Sequence, residues 1–293
     1  MKPSIHDEIQ FQVVNICRNF GFDAMPEYRG KDWRADVLAV KDDNRFAFEI
    51  QISPQSLRRT LNRQAKYMRD GIVGCWFFEK APSKLTNERR DLPLFCINKQ
   101  SDNSAFLVSL GGRRQLSLSE FLKQFLNGGI RFCQVARTKH EQLLRLVFYE
   151  MKCWKCEATN HLYYVDIPFL SACNAKIRPD EAMWESNKVE YRPEIIKLAR
   201  DFVNSEDGSF LNLGEIKRRF SKTIEDAYIS FGCYKCDSIF GDWFVMNAQL
   251  DALNGFDQVA TIEHSISFHN DISVPVPHWC CPSDNLPFCD GSR

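Results

Sequence analysis

No stretch of the 293-residue chain approaches the roughly 18 consecutive apolar residues that a membrane-spanning helix needs. Net charge is missing as well, because 38 Lys and Arg balance 38 Asp and Glu. The N-terminus reads as the start of an amphipathic helix and not as a signal peptide, which points to a cytoplasmic protein with no membrane partner. Low-complexity segments are absent, and one paired motif is the only internal repeat. A cytosolic setting also argues against disulfides, although the chain holds twelve Cys. What is present is ample core material: 44% hydrophobic residues and 23 Phe, enough for two domains. The neutral total hides an asymmetry. Residues 1–135 hold 21 Lys and Arg against 15 Asp and Glu, a balance of +6 that the remainder offsets. A mildly basic front half suits a nucleic-acid partner.

Within that half, residues 34–51 read as a β-hairpin, Arg34-Ala-Asp-Val-Leu-Ala-Val followed by a polar Lys41-Asp-Asp-Asn44 and Arg45-Phe-Ala-Phe-Glu-Ile-Gln51. Phe46, Phe48, Ile50 and Ile52 alternate with Ala47, Glu49 and Gln51, so one face is apolar and the other polar. A turn centred between Asp42 and Asp43 pairs residues whose numbers sum to 85, which sets Asp36 opposite Glu49 and Arg34 opposite Gln51. Opposed carboxylates repel unless a proton or a cation intervenes, and paired hard oxygen ligands beside an amide suggest a divalent-metal site. Ser53-Pro54 predicts the start of a basic helix running to Met68 or Arg69, with Arg63 and Tyr67 on one face. Ile72–Phe78 reads as a buried strand, so the unit is a strand–helix–strand with parallel crossover. Cations beside a metal site suit a phosphodiester substrate. An earlier amphipathic helix, opened by Ser4 and Asp7 as a capping box, carries His6, read as a helix-start residue, and Glu8.

The ordered set Arg34-Ala-Asp36-Val, Phe48-Glu49-Ile-Gln51-Ile-Ser53, Arg63-x-x-x-Tyr67, Gly71-Ile and Trp76 resembles the CoiA-like competence nucleases, a family of the restriction-endonuclease-like PD-(D/E)XK superfamily. The resemblance covers roughly residues 5–130, including Phe95–Ile97, Ala105–Val108 and Leu116–Leu126. It implies an α/β fold with an αβββαβ core, in which Asp36 and Glu49 bind Mg²⁺ or Mn²⁺ and the substrate is DNA. The superfamily normally has a lysine two residues after the Glu; Gln51 stands there, as in the CoiA-like pattern. Gln51 is then a candidate for orienting the attacking water and Arg63 for contacting the phosphate, with Tyr67 supporting the site. Glu27 and Glu8 are further candidate acids.

Cysteine spacing supplies a second signal. Cys153-Trp-Lys-Cys156 and Cys233-Tyr-Lys-Cys236 each follow an aromatic, strand-like approach, and in each six residues separate the second Cys from an aromatic pair, Tyr163-Tyr or Trp243-Phe. This is the layout of two zinc knuckles that together offer four thiolates to one structural Zn²⁺. The 76 residues between the pairs form an insertion in which Pro193–Asn204 and Leu213–Phe220 look helical. His278, Cys280, Cys281, Cys289 and Cys173 offer ligands for another metal site, whereas Cys17, Cys75, Cys96 and Cys133 read as core residues. Aromatic residues around the knuckles are expected to fill a small core.

The expected organisation is a nuclease-like domain at 1–135, a linker at 136–150, a smaller zinc-ribbon-like domain with a helical insertion at 151–250, and a tail at 251–293. The leading functional expectation is a metal-dependent deoxyribonuclease, in DNA uptake, recombination or defence, alongside protein partners of DNA processing. Two alternatives are a DNA-binding protein on a degenerate nuclease fold and a zinc-stabilised interaction or regulatory protein.

Overall fold

A computed structural model of the chain describes residues 3–100, 105–110, 114–166, 169–174, 176–177, 189–268, 273–282 and 286–292. Parts of the insertion (178–188) and of the tail (269–272 and 283–285) lie outside the described residues. The chain divides into two compact units. One comprises Met1–Arg137, Ser171–Ala175 and Pro275–Arg293, the other Thr138–Leu170 and Lys176–Val274.

The first unit begins α1 (Ile5–Asn19), β1 (Asp23–Arg29), β2 (Arg34–Lys41), β3 (Asn44–Gln51), α2 (Leu57–Arg69) and β4 (Val73–Phe78), the αβββαβ order. β5 (Leu94–Lys99), β6 (Phe106–Leu110), β7 (Arg114–Ser117) and α3 (Leu118–Leu126) follow. The seven strands lie in sequence order in one sheet, parallel at β3/β4 and β4/β5 and antiparallel elsewhere. α2 is the crossover that makes β3 and β4 parallel. It starts later than Ser53-Pro54 suggests: Ser56 is the N-cap, its hydroxyl accepting from the Arg59 N–H at 3.3 Å. That cap fixes the first turn at Leu57, which packs with Leu61 against the sheet. Strand β4 passes so close beneath α2 that a Cβ on Gly74 would lie 2.1 Å from Gln64 Oε1.

Alternation along β3 sorts its side chains between two cores. Phe46, Phe48 and Ile50 join Ile9 and Val13 of α1, Phe77, Phe95, and Phe121 and Phe125 of α3. Ala47 faces the other way, with Trp76, Phe78 and Tyr67 of α2. Helices therefore cover both faces, and the polar row of β3 is not a solvated surface.

After α3 the first unit adds a short strand, β8 (Arg131–Cys133). In the second unit, β9 (Glu141–Lys152) pairs antiparallel with β10 (Thr159–Val165) and β13 (Gln258–Ser267). Between β10 and β13 the chain forms α4 (Pro193–Val203), the hairpin of β11 (Lys217–Ser221) and β12 (Asp226–Ser230), and α5 (Asp242–Leu253). Three expectations change here. Leu213–Phe220 is not a helix: its end is extended in β11, where buried Arg219 donates to the Ser230 and Glu215 carbonyls and pairs with Asp237 at 2.6 Å. Residues 141–150 belong to β9 rather than to a linker. The segment 251–293 is no separate tail, since β13 joins the sheet of the second unit and Pro275–Arg293 join the first. β13 is mostly exposed, so its backbone pairing leaves little hydropathy pattern.

Candidate active site and metal-binding clusters

Glu49 lies on β3 facing α2 and is fully buried. Arg63 Nη2 lies 2.6 Å from both its carboxylate oxygens, and the Tyr67 hydroxyl bonds to Oε1. Helical spacing brings Arg63 and Tyr67 to the same carboxylate. Arg63 is held in turn over the Trp76 ring, 5.0 Å from its centroid. Burial, and then the nearby Asp36 charge, push the Glu49 carboxyl up to about 8, against the opposing pull of Arg63 and Tyr67. Tyr67 has one proton and two acceptors, Glu49 and the Arg34 carbonyl at 2.7 Å. A protonated Glu49 resolves the conflict by donating to the Tyr67 oxygen while Tyr67 donates to Arg34.

Asp36 sits where the β2/β3 ladder ends. Pairs summing to 85 run from Lys41↔Asn44 to Val37↔Phe48, leaving Asp42 and Asp43 as the loop. The register arithmetic holds over that span. Beyond it, Asp36 is not a further ladder partner of Glu49: its carboxylate replaces a backbone acceptor and takes the Ile50 N–H at 2.7 Å. The two acids remain close enough for the Asp36 charge to raise Glu49. Arg34 likewise is not paired with Gln51; its carbonyl receives Tyr67 and its side chain pairs with Glu27.

The other candidates sit differently. Gln51 lines a cleft of about 570 Å³ with Ser53, Pro54, Gln55, Glu79 and Lys80. Glu27, at φ 51°, accepts from Gln10 Nε2 at 2.7 Å, and the same nitrogen donates to the Asp36 carbonyl at 2.9 Å. Glu8 is drawn to Lys99 on β5 instead. His6, read as a helix-start residue, comes to the site, its Nε2 3.5 Å from Asp36 Oδ2. The capping box that starts α1 is formed as expected, Ser4 Oγ accepting from the Asp7 N–H and Asp7 from the Ser4 N–H, each at 3.2 Å. Only the docking of α1 beside β2, a tertiary fact, aims His6 at Asp36.

Residues 27–147 match the family model described as competence protein CoiA, nuclease-like domain. That stretch of the chain is similar to the CoiA nuclease-like domain. No curated protein and no solved structure matches the chain. The match takes in Glu27, Asp36, Glu49, Gln51, Arg63 and Tyr67, while α1 with His6 and Glu8 precedes it. Among the described residues no helix is long and apolar enough to cross a membrane.

Two carboxylates fit what a hard divalent cation asks of a protein, since Mg²⁺ is held by one or two carboxylates and keeps water and phosphate as its other ligands. Their mutual repulsion, visible in the raised Glu49, is what such a cation would relieve. Arg63 is the positive charge that meets both Glu49 oxygens.

Two cysteine-rich clusters in the chain could hold structural zinc. In the second unit Cys153 Sγ lies 3.6 Å from Cys236 Sγ, and Cys156 Sγ 3.6 Å from Cys233 Sγ. A zinc with S ligands at about 2.3 Å in a tetrahedron sets neighbouring sulfurs about 3.8 Å apart, so the spacing fits. The two turns are near copies. Glu157 and Asp237 both take φ 57°, and their N–H groups donate at 2.9 Å to the carbonyls of Cys153 and Cys233. The copies diverge after the second cysteine. The first continues into β10, the second closes with a single Gly232↔Ile239 bridge and enters α5, so Trp243-Phe244 is helical and not a strand. Several aromatics expected in the core are exposed instead. Trp154 is 70% exposed and Tyr234 48%, each followed by an exposed lysine, Lys155 and Lys235. The second cluster, Cys173, His278, Cys280 and Cys289, lies in the unit of the nuclease-like domain and is wholly buried.

Proposed function

We propose that the chain is a metal-dependent nuclease that hydrolyses DNA phosphodiester bonds at Asp36 and Glu49. The observation that carries this reading is a fully buried carboxylate, raised by that burial and then by a second acid and ringed by Arg63 and Tyr67, inside a domain matching a nuclease-like family. Asp36 and Glu49 would hold Mg²⁺ or Mn²⁺, which supplies charge neutralisation at the phosphate and a water of lowered pKa. Tyr67 anchors Glu49, and ionisation of Glu49 is the step that prepares the ligand pair. Arg63, beside Glu49, would stabilise charge building on the phosphate oxygens. Gln51 orients water through its amide but cannot accept its proton as a base. In the other unit, the exposed Trp154 and Tyr234, each beside a lysine, support a role for the cysteine-bound domain in holding DNA.

A second reading, DNA binding without cleavage, is favoured by Gln51 at the position of the usual lysine and by Arg63 occupying both Glu49 oxygens. One experiment separates the two. Wild type, Asp36→Ala and Glu49→Gln are incubated with single-stranded, duplex and branched DNA in Mg²⁺, Mn²⁺ or EDTA. Cleavage by wild type alone, abolished by EDTA, is expected. A folded wild-type protein that binds but cuts no substrate with either metal gives the place to the second reading.

A further inference from the structure

We propose that Cys173, His278, Cys280 and Cys289 form a second, closed zinc site that locks the C-terminal segment onto the nuclease-like unit. Each of the four is at most 3% exposed, and their ligand atoms all lie within 4.8 Å of one another. Cys173 Sγ is 3.4 Å from His278 Nε2 and 3.7 Å from Cys289 Sγ. A tetrahedral zinc with sulfur at about 2.3 Å and nitrogen at about 2.05 Å demands separations of about 3.6 Å for S···N and 3.8 Å for S···S. The sulfurs stand at non-bonded distance, and an imidazole nitrogen takes the fourth corner.

The imidazole is already set for ligation. His278 Nδ1 lies 2.9 Å from the Val276 carbonyl, which can only accept, so the ring proton sits on Nδ1 and the Nε2 lone pair points at the sulfurs. The Cys289 N–H points at Cys280 Sγ at 3.4 Å, and Ser171 Oγ lies 3.1 Å from Cys173 Sγ. Such contacts orient ligands and disperse thiolate charge. With four protein ligands and no open position, the chemistry is structural and not catalytic.

The surroundings show what the metal would secure. His278–Cys280 pairs antiparallel with Arg131–Cys133. Trp279 packs edge-on against Phe95 and Phe132, at 5.6 and 5.4 Å between centroids, and its backbone N–H donates to a Glu88 carboxylate oxygen. Cys281 lies in the same core as Phe48 and Phe77. Cys173 comes from a short segment 105 residues before His278, so one ion would close a very long loop. Cys133 is buried beside the cluster but stands outside the set of mutually close ligand atoms. It serves as a control.

The test measures zinc bound to the full chain purified without added metal. About two zinc ions per chain are expected for wild type, falling to about one in His278→Ala and to about one in Cys153→Ser, with Cys133→Ser unchanged. X-ray absorption on the wild-type zinc protein gives a second readout that needs no variant to fold. Two sites of these compositions average seven sulfurs to one nitrogen. About one zinc per chain with sulfur ligands only, or an unchanged content in a folded His278→Ala, overturns the proposal. Neither result bears on DNA cleavage, so this inference and the nuclease reading stand or fall separately.

Discussion

Mn²⁺ or Mg²⁺ should bind the Asp36/Glu49 pair with an affinity that climbs with pH, because Glu49 must lose a proton first. Burial and the Asp36 charge hold its carboxyl up near 8. A cation takes the ionised form, so below that value each pH unit changes the ionised fraction, and hence the association constant, about tenfold. At pH 6 roughly one molecule in a hundred is ready, and binding should be about 100-fold weaker than its limit above pH 9. At pH 7 the deficit is about tenfold, and at pH 8 about twofold. The metal-free protein carries the complementary signature. Its folded state keeps the Glu49 proton while an unfolded chain releases it near 4.5, so the folded state binds more protons between those values. The contribution of Glu49 to stability therefore falls as pH rises from about 4.5 to about 8. Calorimetric titration with Mn²⁺ at pH 6, 7, 8 and 9, on wild type and Glu49→Gln, measures the slope. A gain of about tenfold from pH 6 to 7 and about fivefold from pH 7 to 8, levelling off above and absent in Glu49→Gln, is expected. A wild-type affinity that stays flat across this range would refute the assignment of Glu49 as a buried, proton-holding ligand.

Arg63→Gln should lower the cleavage rate about 100- to 1,000-fold, the cost of losing one charge-stabilising donor, while DNA affinity changes less than about threefold. Equal losses in single-turnover rate and in binding would remove its place at the phosphate. Cys153→Ser should abolish cooperative melting of the second unit, followed by differential scanning calorimetry, since structural zinc contributes roughly 10 kcal/mol or more to such small domains; an undisturbed transition would show that the four sulfurs need no metal. Trp154→Ala and Tyr234→Ala should each weaken single-stranded DNA binding by about 1–3 kcal/mol if a base stacks there, read by fluorescence anisotropy. Unchanged affinity in both would mean that the exposed knuckle aromatics face something other than DNA.

Local patterning made much of the first unit legible. The period-two alternation of Phe46, Phe48 and Ile50 fixed which face of β3 carries Glu49, and the Asp42-Asp43 loop set the register. The i, i+4 spacing of Arg63 and Tyr67 was enough to place both on one helix face, and the structure brings both to Glu49. Paired CxxC spacing was equally direct, because two turns with the same φ and the same hydrogen bonds come from the same short sequence. Long-range or backbone-driven features were not legible. His6 reaches Asp36 only through the docking of α1. β13 pairs with β9 through its backbone while most of its side chains face solvent. Residue type alone offered Cys173, His278, Cys280, Cys281 and Cys289 as ligands, but no spacing rule sets Cys281 aside or brings Cys173 to His278 across 105 residues. The matching aromatic pairs differ in conformation, Tyr163-Tyr164 lying in β10 and Trp243-Phe244 at the start of α5 after Gly241, a divergence that residue type does not show.

Gln51 is the point at which charge balance and chemistry can be tested together. Beside the two acids stands the cation Arg63, which pairs with Glu49. A lysine two residues along β3 from Glu49 would point to the same sheet face, about 7 Å away along the strand. At an effective dielectric constant of about 20, that charge favours ionised Glu49 by roughly 2 kcal/mol, or between one and two pKa units. Gln51→Lys should therefore move the rise in Mn²⁺ affinity down by at least one pH unit, from a midpoint near 8 to 7 or below. It should also flatten the stability loss between pH 4.5 and 8 in the metal-free protein. With more of Glu49 ionised at pH 7, the cleavage rate there should rise as well. A titration midpoint left unmoved by the new lysine would show that position 51 does not share a field with Glu49, and the role of Gln51 in orienting water at that site would go with it.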